Sequence, residues 1–158
     1  MDDLTHFDDQ GRSRMVDVSD KTISKREACA SGTISMQPKT FDMIVKKEIR
    51  KGDVLEVARV AGIMGTKQTS ALIPMCHPLP ISSVAIHYRC HEKTAAIDIE
   101  ATVRVTGKTG VEMEALTAVS ITALTIYDMC KAVDRGMSIS DIRLLRKSGG
   151  KSGVFQAP

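Results

Sequence analysis

Two central segments of the chain alternate apolar and polar residues with a period of two, the pattern of strands that bury one face. In residues 84–90 and 97–105 the apolar positions are Val84, Ile86, Tyr88, Cys90, Ile97, Ile99, Ala101, Val103 and Val105. A short polar link, residues 91–95, joins the two segments and predicts an antiparallel hairpin. Residues 27–36 alternate in the same way and predict an earlier strand.

Between that strand and the hairpin the pattern favours helices. Thr40 is a suitable N-cap for a helix over residues 41–49, and Gly52 follows where such a helix is expected to end. Residues 54–72 predict a second helix, in which Gly62 and Gly65 either weaken the helix or let another backbone come close. Three prolines within residues 73–80 predict a loop.

After the hairpin comes a long apolar segment, residues 111–133, which predicts a helix, and then residues 139–147, which predict a last strand. Strand, helices, strand, strand, helix, strand is the split βαβ order of the ferredoxin-like α+β class, with an antiparallel sheet and helices on one face. The long helix is apolar all round, so we expect its uncovered side to meet another subunit of an oligomer.

Composition narrows the class of protein. With 158 residues, 42% of them hydrophobic and 26% charged, the chain fits one domain, predicted over residues 21–158 after a polar N-terminal arm of residues 1–20. Aromatic residues make up only 3% of the chain, too few for base stacking on single-stranded nucleic acid. A net charge of +3 is too mild for a DNA-binding surface but suits a small polyanion at one basic site.

The compartment is predicted from cysteines and hydropathy. The four cysteines form no CxxC pair and are interpreted as reduced thiols. No apolar run reaches the roughly 18–20 residues of a membrane-spanning helix, and the acidic start of the chain is unlike a signal peptide. We expect a cytoplasmic protein.

Asp128 and Lys131 lie near the end of the long apolar helix, where unpaired buried charges would be costly. The helix dipole disfavours an anion there and should raise the pKa of Asp128 unless Lys131 compensates. Two interpretations stand about level: an ion pair on an exposed last turn, and a general acid and base pair at a subunit boundary.

Other candidate side chains cluster at the start of the same helix and in the proline-rich loop. Glu112 and Glu114 near a helix N-terminus are ordinary complements to its dipole, or they line a second pocket. His77 follows Cys76 between prolines that fix its direction, as a substrate-binding group requires. A second Cys-His pair at residues 90–91 suggests zinc, but its spacing fits no zinc pattern, so no metal site is predicted.

Two glycine-lysine segments, residues 106–110 and 149–153, lack the additional glycine that a P-loop requires. Their backbone and lysines can still hold phosphate oxygens, although a solvated tail is the plain alternative for the second. The lysines in or beside these segments and at the helix boundaries are Lys51, Lys67, Lys108, Lys147 and Lys151.

Four motifs together resemble the MoaC family, the cyclic pyranopterin monophosphate synthases of molybdenum cofactor biosynthesis. They are KGDV at 51–54, LIPMCHPL at 72–79, TGKTGVEMEALTAVSITALTIYDMCKAV at 106–133 and LLRKSGGKSG at 144–153. The resemblance runs from MVDVS at residues 15–19 to residue 153, nearly the whole chain.

The resemblance implies conversion of a cyclised dihydro-GTP, made by a radical-SAM partner enzyme, to cyclic pyranopterin monophosphate with release of pyrophosphate. It implies ferredoxin-like subunits paired into dimers and then a hexamer, with active sites between subunits. It implies Asp128 and Lys131 as the catalytic pair, their charges buried against the substrate. The implied substrate-binding residues are Lys51, Lys67, Met75, Cys76, His77, Glu112, Met113, Glu114, Lys147 and Lys151, with the role of Glu112 open. No tightly bound cofactor is expected, and Mg²⁺ on the substrate phosphates stays an open alternative.

Two competing functions come from other classes. A small ferredoxin-like oligomer can serve as a nucleotide-sensing module without catalysis, because a fold does not determine function. A structural assembly subunit would use the same charges only as interface ion pairs. Replacing Asp128 by Asn distinguishes them. A nucleotide-sensing module should keep its ligand affinity, whereas a structural subunit should form a weaker oligomer.

Overall fold

The computed structural model describes residues 6–158, so residues 1–5 of the predicted arm lie outside the described residues. Five strands and four α-helices follow one another along the chain. They are β1 (Ser24–Ser35), α1 (Pro38–Val45), α2 (Val54–Lys67), α3 (Thr69–Leu72), β2 (Ile81–His91), β3 (Ala96–Gly107), α4 (Glu112–Cys130), β4 (Ser138–Ser148) and β5 (Phe155–Gln156). A short 3₁₀ helix, Glu92–Thr94, joins β2 to β3. The split βαβ order is confirmed.

One antiparallel sheet with strand order β2-β3-β1-β4-β5 forms the base of the fold. The alternation of apolar residues predicted the hairpin correctly, because β2 pairs with β3 from Val84 opposite Val103 to Cys90 opposite Ile97. The apolar face of β1 and β3 is fully buried, including Ala30 and Ile99. The ferredoxin-like α+β class is therefore confirmed.

Helices α2 and α4 pack side by side against one face of this sheet. Gly62 allows the close approach, because a Cβ there would lie 2.2 Å from the Thr122 hydroxyl oxygen and 3.0 Å from the Ala118 carbonyl oxygen. Thr122 itself tolerates complete burial because its hydroxyl donates to the Ala118 carbonyl at 2.7 Å. This packing holds the two helices antiparallel, with the start of α2 near the end of α4.

The start of the first helix differs from the prediction. Thr40 is not its N-cap: α1 begins at Pro38, whose fixed φ suits a first helical turn, and Thr40 lies inside the helix. The capping acceptor comes instead from Asp134, whose carboxylate accepts the Gln37 backbone N–H at 2.8 Å and the Thr40 hydroxyl at 3.2 Å.

Helix α1 also ends earlier than predicted, at Val45 rather than before Gly52. Lys47 adopts a φ of 58°, a left-handed conformation that stops a helix, and its ammonium group lies 2.8 Å from the Asp53 carboxylate. Asp53 in turn caps α2 by accepting the Glu56 backbone N–H. The predicted second helix is divided at Gln68 into α2 and α3.

The C-terminal segment forms a tight turn that the sequence analysis did not predict. Gly149 and Gly150 have φ values of 90° and 75°, and a Cβ on Gly149 would meet the Lys25 carbonyl oxygen at 2.2 Å. The chain then returns along β4, where Phe155 of β5 pairs with Lys147. Helix α4 also ends earlier than predicted, at Cys130 instead of residue 133.

Candidate active site

Three charged side chains meet where α4 ends, and we call Lys51, Asp128 and Lys131 the C-end cluster. The Lys131 ammonium group donates to Asp128 Oδ1 at 2.6 Å. Lys51, from the loop after α1, donates to the Asp128 backbone carbonyl at 3.1 Å and lies 3.9 Å from Oδ2. One carboxylate therefore sits between two ammonium groups.

The C-end cluster is exposed in this single subunit, where it forms the ion pair on an exposed last turn that was one of the two interpretations, and its burial against a substrate stays a prediction. The side chains of Asp128 and Lys131 are 61% and 52% exposed. The hydrogen bond from Lys131 lowers the pKa of Asp128, and the same contact raises the pKa of Lys131, so the pair is ionised. The lysine outweighs the helix dipole. The exposure is confined to one face of the last turn, because the neighbouring Met129 and Cys130 are buried.

A second group of candidates meets about 21 Å away at the start of α4, since 14 residues at 1.5 Å per residue separate Glu114 from Asp128. A cavity of about 270 Å³, which we call the N-end pocket, lies there. It combines the first turn of α4 with the loop after α3 and with the N-terminal arm. The predicted site residues that line it are Met75, Cys76, His77, Glu112, Met113 and Glu114.

Glu114 is the buried charge of the N-end pocket, only 4% exposed. Burial raises the pKa of its carboxyl group, and the nearby Glu112 carboxylate adds to this effect. Burial likewise raises the pKa of the Cys76 thiol, with a further contribution from Glu114. The pocket therefore holds a carboxyl group whose proton affinity is increased, as suits a group that exchanges protons near neutral pH.

His77 is held by the arm. Its Nε2 lies 2.8 Å from the Val16 backbone carbonyl oxygen. Because a carbonyl oxygen can only accept, Nε2 carries the proton in this contact, and Nδ1 is the nitrogen left for other partners. Val16 and Val18 also line the pocket, so the arm forms one of its walls.

The predicted phosphate-binding lysines divide between several places. Lys147 donates to the Ser152 hydroxyl and lines a polar cavity of about 140 Å³ that shares Glu112 with the N-end pocket. Lys151 lines a further cavity beside it. Lys67 is the last residue of α2, which places it toward the N-end of α4 but outside the lining of the N-end pocket.

Two basic residues of these cavities were missed by the sequence analysis. Lys21 lines both the N-end pocket and the polar cavity, and Arg26 lines the polar cavity while donating to the Gly107 and Lys108 carbonyl oxygens. Arg26 lies on β1, whose pattern indicated only an ordinary strand. The sequence does contain a signal for this basic site, since basic residues stand at positions 21, 25 and 26, just before and within the start of that strand.

Comparison with known families gives a match over most of the chain. The MoaC family model matches residues 15–150. A cyclic pyranopterin monophosphate synthase of Syntrophomonas wolfei is 63% identical over 150 residues, covering 95% of this chain and 96% of its own. The synthase of the same name from Parvibaculum lavamentivorans is 57% identical over 154 residues, covering 98% and 96%. That of Desulfitobacterium hafniense is 60% identical over 153 residues, covering 97% and 93%.

Among solved structures, a de novo designed protein with a ferredoxin fold covers 74% of this chain and 84% of its own, at 11% identity and a TM-score of 0.34. That likeness is too slight to carry an argument. Within residues 6–158, no helix combines the length and the apolarity needed to cross a membrane. The same residues contain no group of three or more His, Cys, Asp or Glu side chains placed to hold a metal ion.

Proposed function

This chain belongs to the MoaC family, and from that membership we propose that it converts cyclised dihydro-GTP to cyclic pyranopterin monophosphate with release of pyrophosphate. The reaction is an early step of molybdenum cofactor biosynthesis. In this proposal a radical-SAM enzyme supplies the substrate, and the protein works in the cytoplasm, where its free thiols stay reduced. No tightly bound cofactor is part of the proposal, and assays with and without Mg²⁺ test whether the phosphates need it.

The observation that carries the proposal is the C-end cluster. The cluster supplies a proton acceptor and a proton donor side by side, which ring opening and ring closure of a purine-derived substrate both require. In this proposal the substrate separates the two groups, because the ion pair lowers the pKa of Asp128 and raises the pKa of Lys131. The exposure of the pair supports a catalytic role over a structural one, because exposed ion pairs contribute little to stability. An incoming substrate would remove water from this pair and strengthen its electrostatic interactions.

The triphosphate is assigned to the other end of α4. Lys147 and Ser152 beside the N-end pocket, with Lys21 and Arg26, provide positive charge and hydroxyl donors for phosphate oxygens. There an intramolecular hydroxyl oxygen forms a new bond to the α-phosphorus, as the bond between the α-phosphorus and the oxygen that bridges to the β-phosphorus breaks. The hydroxyl proton leaves with the pyrophosphate. The lysines then stabilise the charge that develops on the departing pyrophosphate.

A single subunit does not bring these two ends together. The C-end cluster and the N-end pocket lie about 21 Å apart along a rigid helix, farther than one small substrate spans within one chain. We therefore propose that active sites form between subunits, with the C-end cluster of one chain facing the N-end pocket of its partner. An antiparallel pairing about a two-fold axis across the middle of α4 accomplishes this twice.

The outer side of the helix layer supports such a pairing. Val57, Val60 and Met64 of α2 and Leu124 of α4 are between 45% and 61% exposed, and together we call them the helix-face patch. An apolar surface of this kind on a polar domain is typical of an interface between subunits. We propose dimers formed through this patch and assembled further into a homohexamer.

The test is anaerobic incubation of the purified protein with cyclised dihydro-GTP, following pyrophosphate release and pterin formation. Asp128→Asn and Lys131→Ala should each lower kcat by about 10²–10⁴-fold, the usual contribution of general acid–base catalysis, with the oligomer unchanged. The matched controls are Asp42→Asn and Lys46→Ala, an exposed pair on α1 with an N–O separation of 4.0 Å, which should stay fully active. Full activity of both C-end variants would refute the assignment.

The shared site has its own test. Subunits carrying His77→Gln and subunits carrying Lys131→Ala should each lose about 10²–10⁴-fold in kcat as homo-oligomers, which leaves a low residual activity that can still be measured. Random mixing should restore about a quarter of native activity, because half of the dimers are mixed and each mixed dimer holds one intact site of two. No recovery in verified mixed oligomers would place each active site within one chain. Tight ligand binding without turnover by the native protein would favour the nucleotide-sensing module instead.

A further inference from the structure

A chain of contacts links the sheet to His77 through the N-terminal arm. Arg26 of β1 donates to the carbonyl oxygens of Gly107 and Lys108 at 3.1 and 3.0 Å, which fixes the loop between β3 and α4. From this loop Lys108 reaches back and donates to the Ser19 backbone carbonyl at 2.6 Å. The Lys108 ammonium group therefore holds the arm against the body of the domain.

The arm segment that precedes this anchor is shaped by its own turn. Asp17 Oδ1 accepts both the backbone N–H and the hydroxyl group of Ser19, at 2.8 and 2.6 Å. These contacts lower the pKa of the Asp17 carboxyl group, and the nearby Lys108 and His77 contribute. The turn aims the Val16 carbonyl oxygen at His77 Nε2, 2.8 Å away.

We propose that residues 15–19 are a positioning strap, anchored by Lys108, that holds the His77 ring so that only Nδ1 faces the substrate. This inference rests on the proposed function of the N-end pocket. It gives a role to two motifs that the proposed reaction does not use, MVDVS at residues 15–19 and TGKTG at residues 106–110. Lys108 stands in a glycine-lysine segment that otherwise suggests phosphate binding. Its ammonium group is instead engaged by the arm, so it acts through His77 and is a positioning residue.

The physical reason is the number of directions open to the ring. His77 lies in a loop and is only partly buried, so its ring can rotate about the side-chain torsions unless a contact holds it. A donor bond from Nε2 to a fixed carbonyl removes that freedom and reserves Nδ1 for the substrate. A displacement of about 1 Å at a reacting group costs up to about 10²-fold in rate, so a partial release of the ring should be measurable.

The experiment compares Lys108→Met, which keeps the length of the side chain but removes the donor, with Lys108→Arg, which restores a donor. We expect Lys108→Met to lower kcat about 10-fold with KM little changed, and Lys108→Arg to recover most of the loss. In a His77→Gln background, Lys108→Met should have no further effect on kcat, because both act through the same ring. Lys93→Met, an exposed lysine at the hairpin tip, is the matched control and should stay fully active.

A spectroscopic measurement tests the strap without turnover. In protein with ¹⁵N-labelled histidine, assigned with His77→Gln, the Nε2 proton of His77 should be observed in native protein and Lys108→Arg. It should exchange too fast to be seen in Lys108→Met and in Asp17→Ala, which removes the turn at the exposed surface. A Nε2 proton unchanged in both of these folded variants would overturn the proposal, as would a Lys108→Met effect on KM that persists in the His77→Gln background. Inactive native protein with the expected proton signals would refute the proposed function and leave the strap supported.

Discussion

Asp134 offers the sharpest test of how the C-end cluster is kept in place. Its carboxylate is 3% exposed and accepts three hydrogen bonds: the Gln37 N–H at 2.8 Å, the Thr40 hydroxyl at 3.2 Å and the Gly136 N–H at 3.0 Å. Asp134 therefore caps α1 from the turn that follows Lys131. Asp134→Ala should loosen the contact between the end of α4 and the start of α1.

The magnitude follows from the contacts that are lost. A hydrogen bond to a charged group contributes about 1.5–3 kcal/mol, and an N-cap about 0.5–2 kcal/mol. Removing the carboxylate also relieves the cost of burying its charge, several kcal/mol by itself, so the three contributions do not simply add. We expect Asp134→Ala to lower the free energy of unfolding by about 2–4 kcal/mol, most of it from the donors of Gln37 and Thr40 left without a partner.

The assay is urea unfolding of native and variant protein at one fixed protein concentration, because association contributes to the stability of an oligomer. Thr40→Val is the control, since it removes a single long hydrogen bond and should lose about 1 kcal/mol. Combined with Asp134→Ala it should lose less than the sum, because the two residues share one contact. A loss below about 0.5 kcal/mol for Asp134→Ala, the range of ordinary surface substitutions, would refute this account of the cap.

Three further predictions concern α2 and α4. Gly62→Ala should destabilise the protein in urea by about 1–3 kcal/mol, because its Cβ would overlap the Thr122 hydroxyl at 2.2 Å, and this outweighs the gain of about 1 kcal/mol in helix propensity. A more stable variant would contradict the packing described. Burial raises the folded-state pKa of Glu114 above its ordinary 4.5, so its contribution to stability is lost as the pH rises. Glu114→Gln should therefore gain stability relative to native protein as the pH rises above 4.5, whereas an equal pH dependence of the two proteins would argue against this. Leu124→Glu should dissociate the dimer in sedimentation velocity, and an unchanged oligomer would exclude the helix-face patch as the interface.

The parts of the fold predicted from the sequence are those governed by local pattern. Strand alternation around Ile99 placed the hairpin and its register, because a shift of one residue would turn every apolar side chain to the other face. The cap of α1 was predicted wrongly because its acceptor, Asp134, is far away in sequence from Gln37. Strand β5 has only two residues and so carries no periodic signal.

Sequence reasoning named residues for the candidate site, and their membership stays a prediction, but it did not give their arrangement. Charge and spacing identified Asp128, Lys131 and Glu114 as candidates, and the resemblance supplied their roles. An exposed Asp128 was one of two interpretations left open, but neither source indicated that Glu114 is buried, because hydropathy alone does not say which side of a helical turn is covered. The contact between Val16 and His77 was also beyond sequence analysis, since its acceptor is a backbone carbonyl that every residue type possesses.

The close packing of α2 on α4 gives the two ends of the proposed site a common mechanical basis. Lys51 lies three residues before the start of α2 and reaches Asp128, while Lys67 ends the same helix toward the N-end of α4. A close-packed interior transmits displacement instead of absorbing it, so a shift of α2 along α4 would move Lys51 and Lys67 together. In an antiparallel dimer those two lysines belong to different active sites. In a mixed dimer with one native subunit, a change at the Gly62 contact should therefore impair both active sites, whereas a change at Lys131 or His77 should impair only one of them.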